Sequence, residues 1–272
     1  MSKQGSSFKD ALQNVFAVSA ILIAFVVSWL LFSQLMGNPA NFEGGNVHGA
    51  ALQGNYLGII HRGGPIVPIL MTCVLVLIIF IFERAITLSR ARGKGKINQF
   101  VHNLQTLLAE DKIEEAMDAC DKQKGSLANV MKAGLLRYRD LQNDKELEKD
   151  QKIMSIQKSF DEATALEMPM LSKNMVIFST LASISVLIGL IGTVLGMIRA
   201  FAALAQSGAP DALALSQGIS EALVNTAFGI IGSTLSIIAF NYYTTSIDTY
   251  TYKMDEAGFS LTQNFAASLK DK

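Results

Sequence analysis

Apolar and charged stretches alternate along the chain, and four of the apolar ones are long enough to cross ~30 Å of hydrocarbon, which takes about 20 residues. They run over 15–36, 66–88, 174–205 and 213–243. The longest intervening segment, 89–173, carries helical periodicity instead. Ile97, Phe100, Val101, Leu104, Leu107 and Leu108 recur three and four apart, the spacing of one helix face. Asp111 followed by Glu114 has the form of a capping box, which predicts a short helix through Ile113, Ala116, Met117 and Cys120. Gly125 breaks this pattern and Ser126 restarts it through Leu127, Val130, Met131 and Leu135. From Asp144 the pattern predicts a last helix that continues into the third span, bent at Pro169. The fold class is an all-α integral membrane protein with four transmembrane helices and a helical cytoplasmic domain.

Lysine and arginine placement orients the spans. The segment 37–65 holds only Arg62, and 206–212 holds neither residue type. Arg84, Arg90, Arg92, Lys94 and Lys96 cluster at the end of the second span, and Lys253, Lys270 and Lys272 follow the fourth. Residues 1–14, the domain 89–173 and the tail 244–272 are therefore expected in the cytoplasm, with the loop 37–65 and the turn 206–212 in the periplasm. The first span, preceded by Lys3 and Lys9, exceeds a signal-peptide core and is closed by no small-x-small site, which predicts a retained anchor. The glycine-rich loop 37–65 reads as flexible. Its His48 and His61 have no ligand partner at useful spacing.

The fourth span carries a carboxylate, Glu221. Facing lipid, that would cost about 2.5–3.5 kcal/mol or more, so the side chain is expected to face protein or water. At about 100° per residue, Gly218, Asn225, Gly229, Gly232 and Ser236 fall beside Glu221, with Ser233 and Thr226 further round. Leu223 and Ile230 fall on the opposite arc. Small polar arcs are also how membrane helices pack closely, and that reading stands for Gly229, Gly232 and Ser233. It does not account for Glu221 with Asn225 one turn on. The third span has a matching face: Ser185, Gly189, Gly192, Thr193 and Gly196. Joined by a short turn, the two spans are expected to form an antiparallel hairpin with these faces together. Arg199, near the outer end of the third span, either snorkels to the interface or pairs with a partner's carboxylate.

Composition narrows the function classes. The 272 residues are 50% hydrophobic and 17% charged, with mean hydropathy +0.32. The zero net charge averages over segregated segments and calls for no nucleic-acid partner. Cys73 lies in an apolar span and Cys120 in a charged segment; neither has metal-ligand spacing. Gly93-Lys94-Gly95-Lys96 lacks phosphate-cradle spacing, and no Ser/His/Asp set or HExxH pattern appears. No enzyme activity, metal or cofactor is expected. Uphill work would draw on an ion gradient or a partner.

Gly189-Leu190-Ile191-Gly192-Thr193-Val194-Leu195-Gly196-Met197, followed by Gly218-Ile219-Ser220-Glu221-Ala222-Leu223 and Thr226-Ala227, resembles the MotA/TolQ/ExbB proton-channel family, and most of all its ExbB/TolQ branch. The resemblance extends to Glu83-Arg84-Ala85, to Glu114-Glu115-Ala116 through Gly134, and to Asn241. It covers roughly Pro65 to Tyr250, so the first span is an addition to a three-span ExbB-like core. It implies a homopentamer in the bacterial inner membrane around helices of an ExbD/TolR-like single-span partner whose aspartate carries the proton. Proton flow would drive a TonB-like protein energising outer-membrane transport, or a TolA-like one in a TolQ-type envelope-integrity motor. Another stator of the same family is a further reading. By resemblance, Thr193, Glu221 and Thr226 line the pore. Ser185, Gly189, Gly192, Asn225, Ser233 and Ser236 form a secondary pore or packing face, and Arg199, Glu83 and Arg84 are candidate partner contacts. Val186 and Leu235 stand where the family often has helix-bending prolines. A structural membrane scaffold, whose polar arcs only pack helices, is the alternative of a different class.

Overall fold

The computed structural model describes residues 18–47, 49–142, 147–205 and 211–268. Residues 1–14 with Lys3 and Lys9, His48, Asp144, most of the 206–212 turn, Lys270 and Lys272 lie outside the described residues. Among those described no β-strand forms; one isolated bridge joins Phe42 to Ala51. Among the described residues four helical runs are long and apolar enough to cross a membrane: Val18–Met36, Gly64–Ala109, Lys149–Leu204 and Ala212–Ala267. The protein is a multi-pass, all-α membrane protein. Its contacts divide it into two compact units, one of residues 1–81 with 176–240, the other of 82–175 with 241–272.

In the first unit, α1 (Val18–Met36) buries Ala20, Ala24 and Ser28 at four-residue spacing while Leu22, Ile23 and Trp29 stay exposed. Small residues on one face let a membrane helix approach its neighbours closely. The loop after it is held by side-chain hydrogen bonds. Asn41, 8% exposed, donates from Nδ2 to the carbonyls of Leu35 (2.8 Å) and Met36 (3.0 Å). Its Oδ1 accepts from Asn55 (3.0 Å), and the Asn55 Oδ1 in turn caps the short helix α2 (Tyr56–His61). The His61 ring stacks on Phe32 at 4.6 Å and meets Phe42 edge-on at 5.5 Å. Helix α3 (Val67–Arg92) follows.

In the second unit, α4 (Ile97–Ala109), α5 (Ile113–Gln123), α6 (Gly125–Gln142) and α7 (Lys149–Leu171) bury the apolar stripes read from the sequence. Leu104, Val130, Met131, Leu135 and Ile156 are all fully buried, and Tyr138 stacks on Phe265 at 4.0 Å. Two expectations fail here. Asp111 does not cap α5: it sits in a left-handed turn (φ 57°), Lys112 occupies the cap position, and no side chain caps it. The capping box instead opens α7, between Glu148 and Gln151. The run from α7 into the third span is interrupted after Pro169 rather than bent at it. Helix α7 passes through Pro169 and stops at Leu171, and Ser172–Asn174 with left-handed Asn174 (φ 61°) separate it from α8 (Met175–Leu204). Helix α9 (Ala212–Ser268) is continuous for 57 residues, with no break at Leu235.

Candidate functional site

Helices α8 and α9 meet through backbone where glycines leave room. A Cβ placed on Gly196 would lie 2.7 Å from both the Gly218 carbonyl and the Ala222 nitrogen; one on Gly189 would lie 2.9 Å from the Asn225 carbonyl and 3.0 Å from Gly229 Cα. Gly192 is filled by Asn225, whose Cβ would be 2.5 Å away. Contacts therefore step regularly away from the turn: Arg199 with Glu221, Gly196 with Ala222, Gly192 with Asn225, Gly189 with Gly229. This is the antiparallel hairpin with both small faces inside.

At the rim of that seam the Thr193 and Thr226 hydroxyls hydrogen-bond each other. Each can also donate back to its own helix, Thr193 to the Gly189 carbonyl and Thr226 to the Ala222 carbonyl, both at 3.1 Å. A hydroxyl has one proton to donate. If one threonine donates across the seam, the other donates along its helix, and the two arrangements are interchangeable. Both side chains are half-buried.

Nearer the turn, Glu221 is 5% exposed and accepts from Arg199 Nη1 at 2.5 and 2.6 Å. The Arg62-Gly63-Gly64 turn before α3 packs on the same stretch of α9. Asn225 Nδ2 donates to the Gly63 carbonyl at 2.8 Å, and Gly64, at φ +76°, leaves room that a Cβ would take 2.5 Å from Glu221 Oε1. An L-residue side chain rarely adopts that φ, so glycine is required twice over. A cavity of about 370 Å³ opens beside the pair, lined by Arg62, Arg199 and Glu221 among others.

The structure thus gathers Thr193, Thr226, Glu221, Asn225, Gly189 and Gly192 onto one hairpin, and it separates their surroundings. Ser185, Asn225, Ser233 and Ser236 are buried within the chain, Ser236 donating to the Gly232 carbonyl at 2.7 Å, so this face packs helices. Arg199, expected to snorkel or to meet a partner, is taken by Glu221 because the hairpin register sets them opposite each other. Glu83 and Arg84 pair with each other within the chain. Arg84 is 1% exposed and donates from Nε and Nη2 to Glu83 at 2.7 Å and from Nη1 to the Leu171 carbonyl at 3.3 Å. Asn174 Nδ2 donates to the same carboxylate at 3.4 Å. These groups tie the α7–α8 junction to α3. The sequence reading missed the Arg62-Gly63-Gly64 cradle; its signal was a lone arginine followed by two glycines directly before a span.

Comparison with known proteins places residues 122–256 in the sequence profile of the "MotA/TolQ/ExbB proton channel family". A putative biopolymer transport protein ExbB-like 3 of Synechocystis is 34% identical over 87 residues, 31% of this chain and 41% of that protein. The biopolymer transport protein ExbB of Salmonella typhimurium is 32% identical over 72 residues, 26% of this chain and 30% of its own. The Tol-Pal system protein TolQ of Pseudomonas aeruginosa is 23% identical over 165 residues, 61% of this chain and 71% of its own. The chain spans less than half the length of the first two relatives.

Proposed function

Because the chain belongs to the MotA/TolQ/ExbB proton channel family, in its ExbB/TolQ branch, we propose that it is the ExbB-like subunit of a proton-driven complex in the bacterial inner membrane. Copies of the chain form a homopentamer around an ExbD/TolR-like helix whose aspartate titrates. Proton flow then does work on a TonB-like protein that energises outer-membrane transport. The termini and the 89–173 domain are cytoplasmic, in line with the lysine and arginine bias.

The observation that carries this reading is the Thr193–Thr226 hydroxyl pair at the edge of the α8–α9 seam. In either arrangement one hydroxyl donates along its own helix, and turning that proton outward lets it donate to a guest group without moving either helix. A guest carboxylate beside it could be met in either protonation state, by a donor when charged and by an acceptor when neutral. Glu221, neutralised by Arg199, supports the wall and shapes its field while the titrating acid comes from the partner. The test is Thr226→Val in cells, scored by proton-gradient-dependent substrate uptake with assembly checked by co-purification. Undiminished uptake by an assembled complex would remove the pore role from this hydroxyl.

The TolQ match, which runs over more of the chain than either ExbB match, favours a second reading as an envelope-integrity motor acting on a TolA-like protein. Deleting the gene separates them: detergent-sensitive cells with normal uptake mark the Tol-type role. The scaffold alternative predicts that Glu221→Gln lowers complex yield with no separate loss of activity per complex.

A further inference from the structure

A second cavity lies away from the threonine pair, in the second unit. It is an open cavity of about 850 Å³ between the start of α4 and the Asn241–Lys253 stretch of α9. Arg92, Lys96 and Lys253 contribute three cations, and no carboxylate is among its described lining residues. Tyr250 lines it as well. That residue is 7% exposed, and its hydroxyl is buried with no hydrogen-bond partner among the described residues. A buried hydroxyl left unpaired costs about 1–3 kcal/mol, and three cations gathered without a counter-charge repel one another. Both penalties fall if the cavity holds an anion rich in acceptor oxygens. Tyr242, at the same cavity, is 67% exposed. An aromatic residue at the end of a membrane crossing beside a basic cluster is the arrangement of a membrane–water boundary.

We propose that this cavity binds the phosphate of an anionic phospholipid headgroup. Arg92, Lys96 and Lys253 neutralise the phosphate, the Tyr250 hydroxyl donates to one of its oxygens, and the Tyr242 ring lies against the glycerol and upper acyl carbons. Basic pockets at the cytoplasmic ends of membrane helices bind acidic headgroups by this chemistry. The orientation proposed above decides only which leaflet supplies the lipid. An inorganic phosphate or a soluble phosphate ester offers the same oxygens without the acyl chains, so the experiment separates the sources.

The full-length protein, purified in detergent, is given either phosphatidylglycerol or phosphatidylcholine, and retained lipid is read by native mass spectrometry. The expected result is selective retention of phosphatidylglycerol that excess inorganic phosphate does not displace. Neutralising two cations in Arg92→Gln/Lys253→Gln should weaken it about 30-fold. Tyr250→Phe should weaken it several-fold, and Lys253→Arg should keep it. Helicity by circular dichroism confirms that each variant is folded. Equal retention of the two lipids, displacement by inorganic phosphate, or retention unchanged in the folded double variant would each overturn the proposal. None of these readouts depends on proton-driven activity, so the lipid site and the motor role fail independently.

Discussion

Arg199 holds the carboxylate of Glu221 with a single nitrogen, Nη1, at 2.5 and 2.6 Å from its two oxygens. The arginine side chain is 54% exposed and the glutamate 7%. The burden of burial therefore falls on the acid, and removing the arginine is the more damaging half of the pair. Stripping one partner from a fully buried pair costs about 3–5 kcal/mol; the exposure of Arg199 brings Arg199→Gln to about 2 kcal/mol. The double variant Arg199→Gln/Glu221→Gln leaves no orphan charge and should recover most of that loss. Thermal unfolding of the four proteins in one detergent checks it, and additive losses would mean that the two side chains do not support each other.

The threonine pair should behave oppositely, affecting function without stability. Thr193→Val leaves Thr226 its bond to the Ala222 carbonyl, so stability should change by under about 1 kcal/mol. Proton-gradient-dependent uptake should nonetheless fall, and Thr193→Ser, which restores a hydroxyl, should keep it. Equal uptake by the valine and serine variants would speak against a proton-exchanging role.

Gly196 is where α8 and α9 come within backbone distance. A methyl group there would press on the Gly218 carbonyl and the Ala222 nitrogen, each 2.7 Å away, and neither is a side chain that can swing aside. Gly196→Ala should therefore push the helices apart and cost about 1–3 kcal/mol. At Gly258 the nearest atoms belong to the Phe160 side chain, at 3.3 Å and beyond, so Gly258→Ala should stay within about 1 kcal/mol. Comparing the two melting temperatures tests the seam against a helix-propensity effect.

Arg84 makes a comparable prediction in the other unit. Arg84→Met removes the groups that hold Glu83 and the Leu171 carbonyl, leaving the Glu83 carboxylate with only Thr87 and Asn174. The loss should be about 3 kcal/mol. It should be seen first as faster proteolysis at Ser172–Asn174, the break between α7 and α8.

Cys120 should be chemically silent. Burial, helped by the neighbouring Asp121 carboxylate and opposed by Lys132, pushes its thiol up from 9.0 to about 12. The reactive species is the thiolate, so at pH 8 its population is roughly a thousandfold below that of a free thiol. In a Cys73→Ala background, native protein should resist iodoacetamide at pH 8 and react at once when unfolded in dodecyl sulfate. Because the folded value is raised, this thiol's contribution to stability is complete below about pH 9 and fades as pH climbs toward 12. Fast alkylation of the native protein would contradict the burial.

The alternation of apolar and charged stretches by itself determined the four crossings and the helical domain, since hydrocarbon thickness and helix rise leave little freedom in span length. It also determined that the last two crossings face each other, because Gly189, Gly192, Gly196 and Gly218 have no other use on greasy helices. The Arg199–Glu221 pair was legible in principle, by folding the chain about its short turn. It was missed because an arginine near a membrane boundary has an equally good home in the headgroups. Only the tertiary structure decided that Asn225 serves the Gly63 carbonyl, that Arg84 bridges α3 to Leu171, and that three cations and Tyr250 line one cavity. Those relations join residues far apart in the chain, and periodicity reports only which side of its own helix a residue occupies, not what another segment brings to that side.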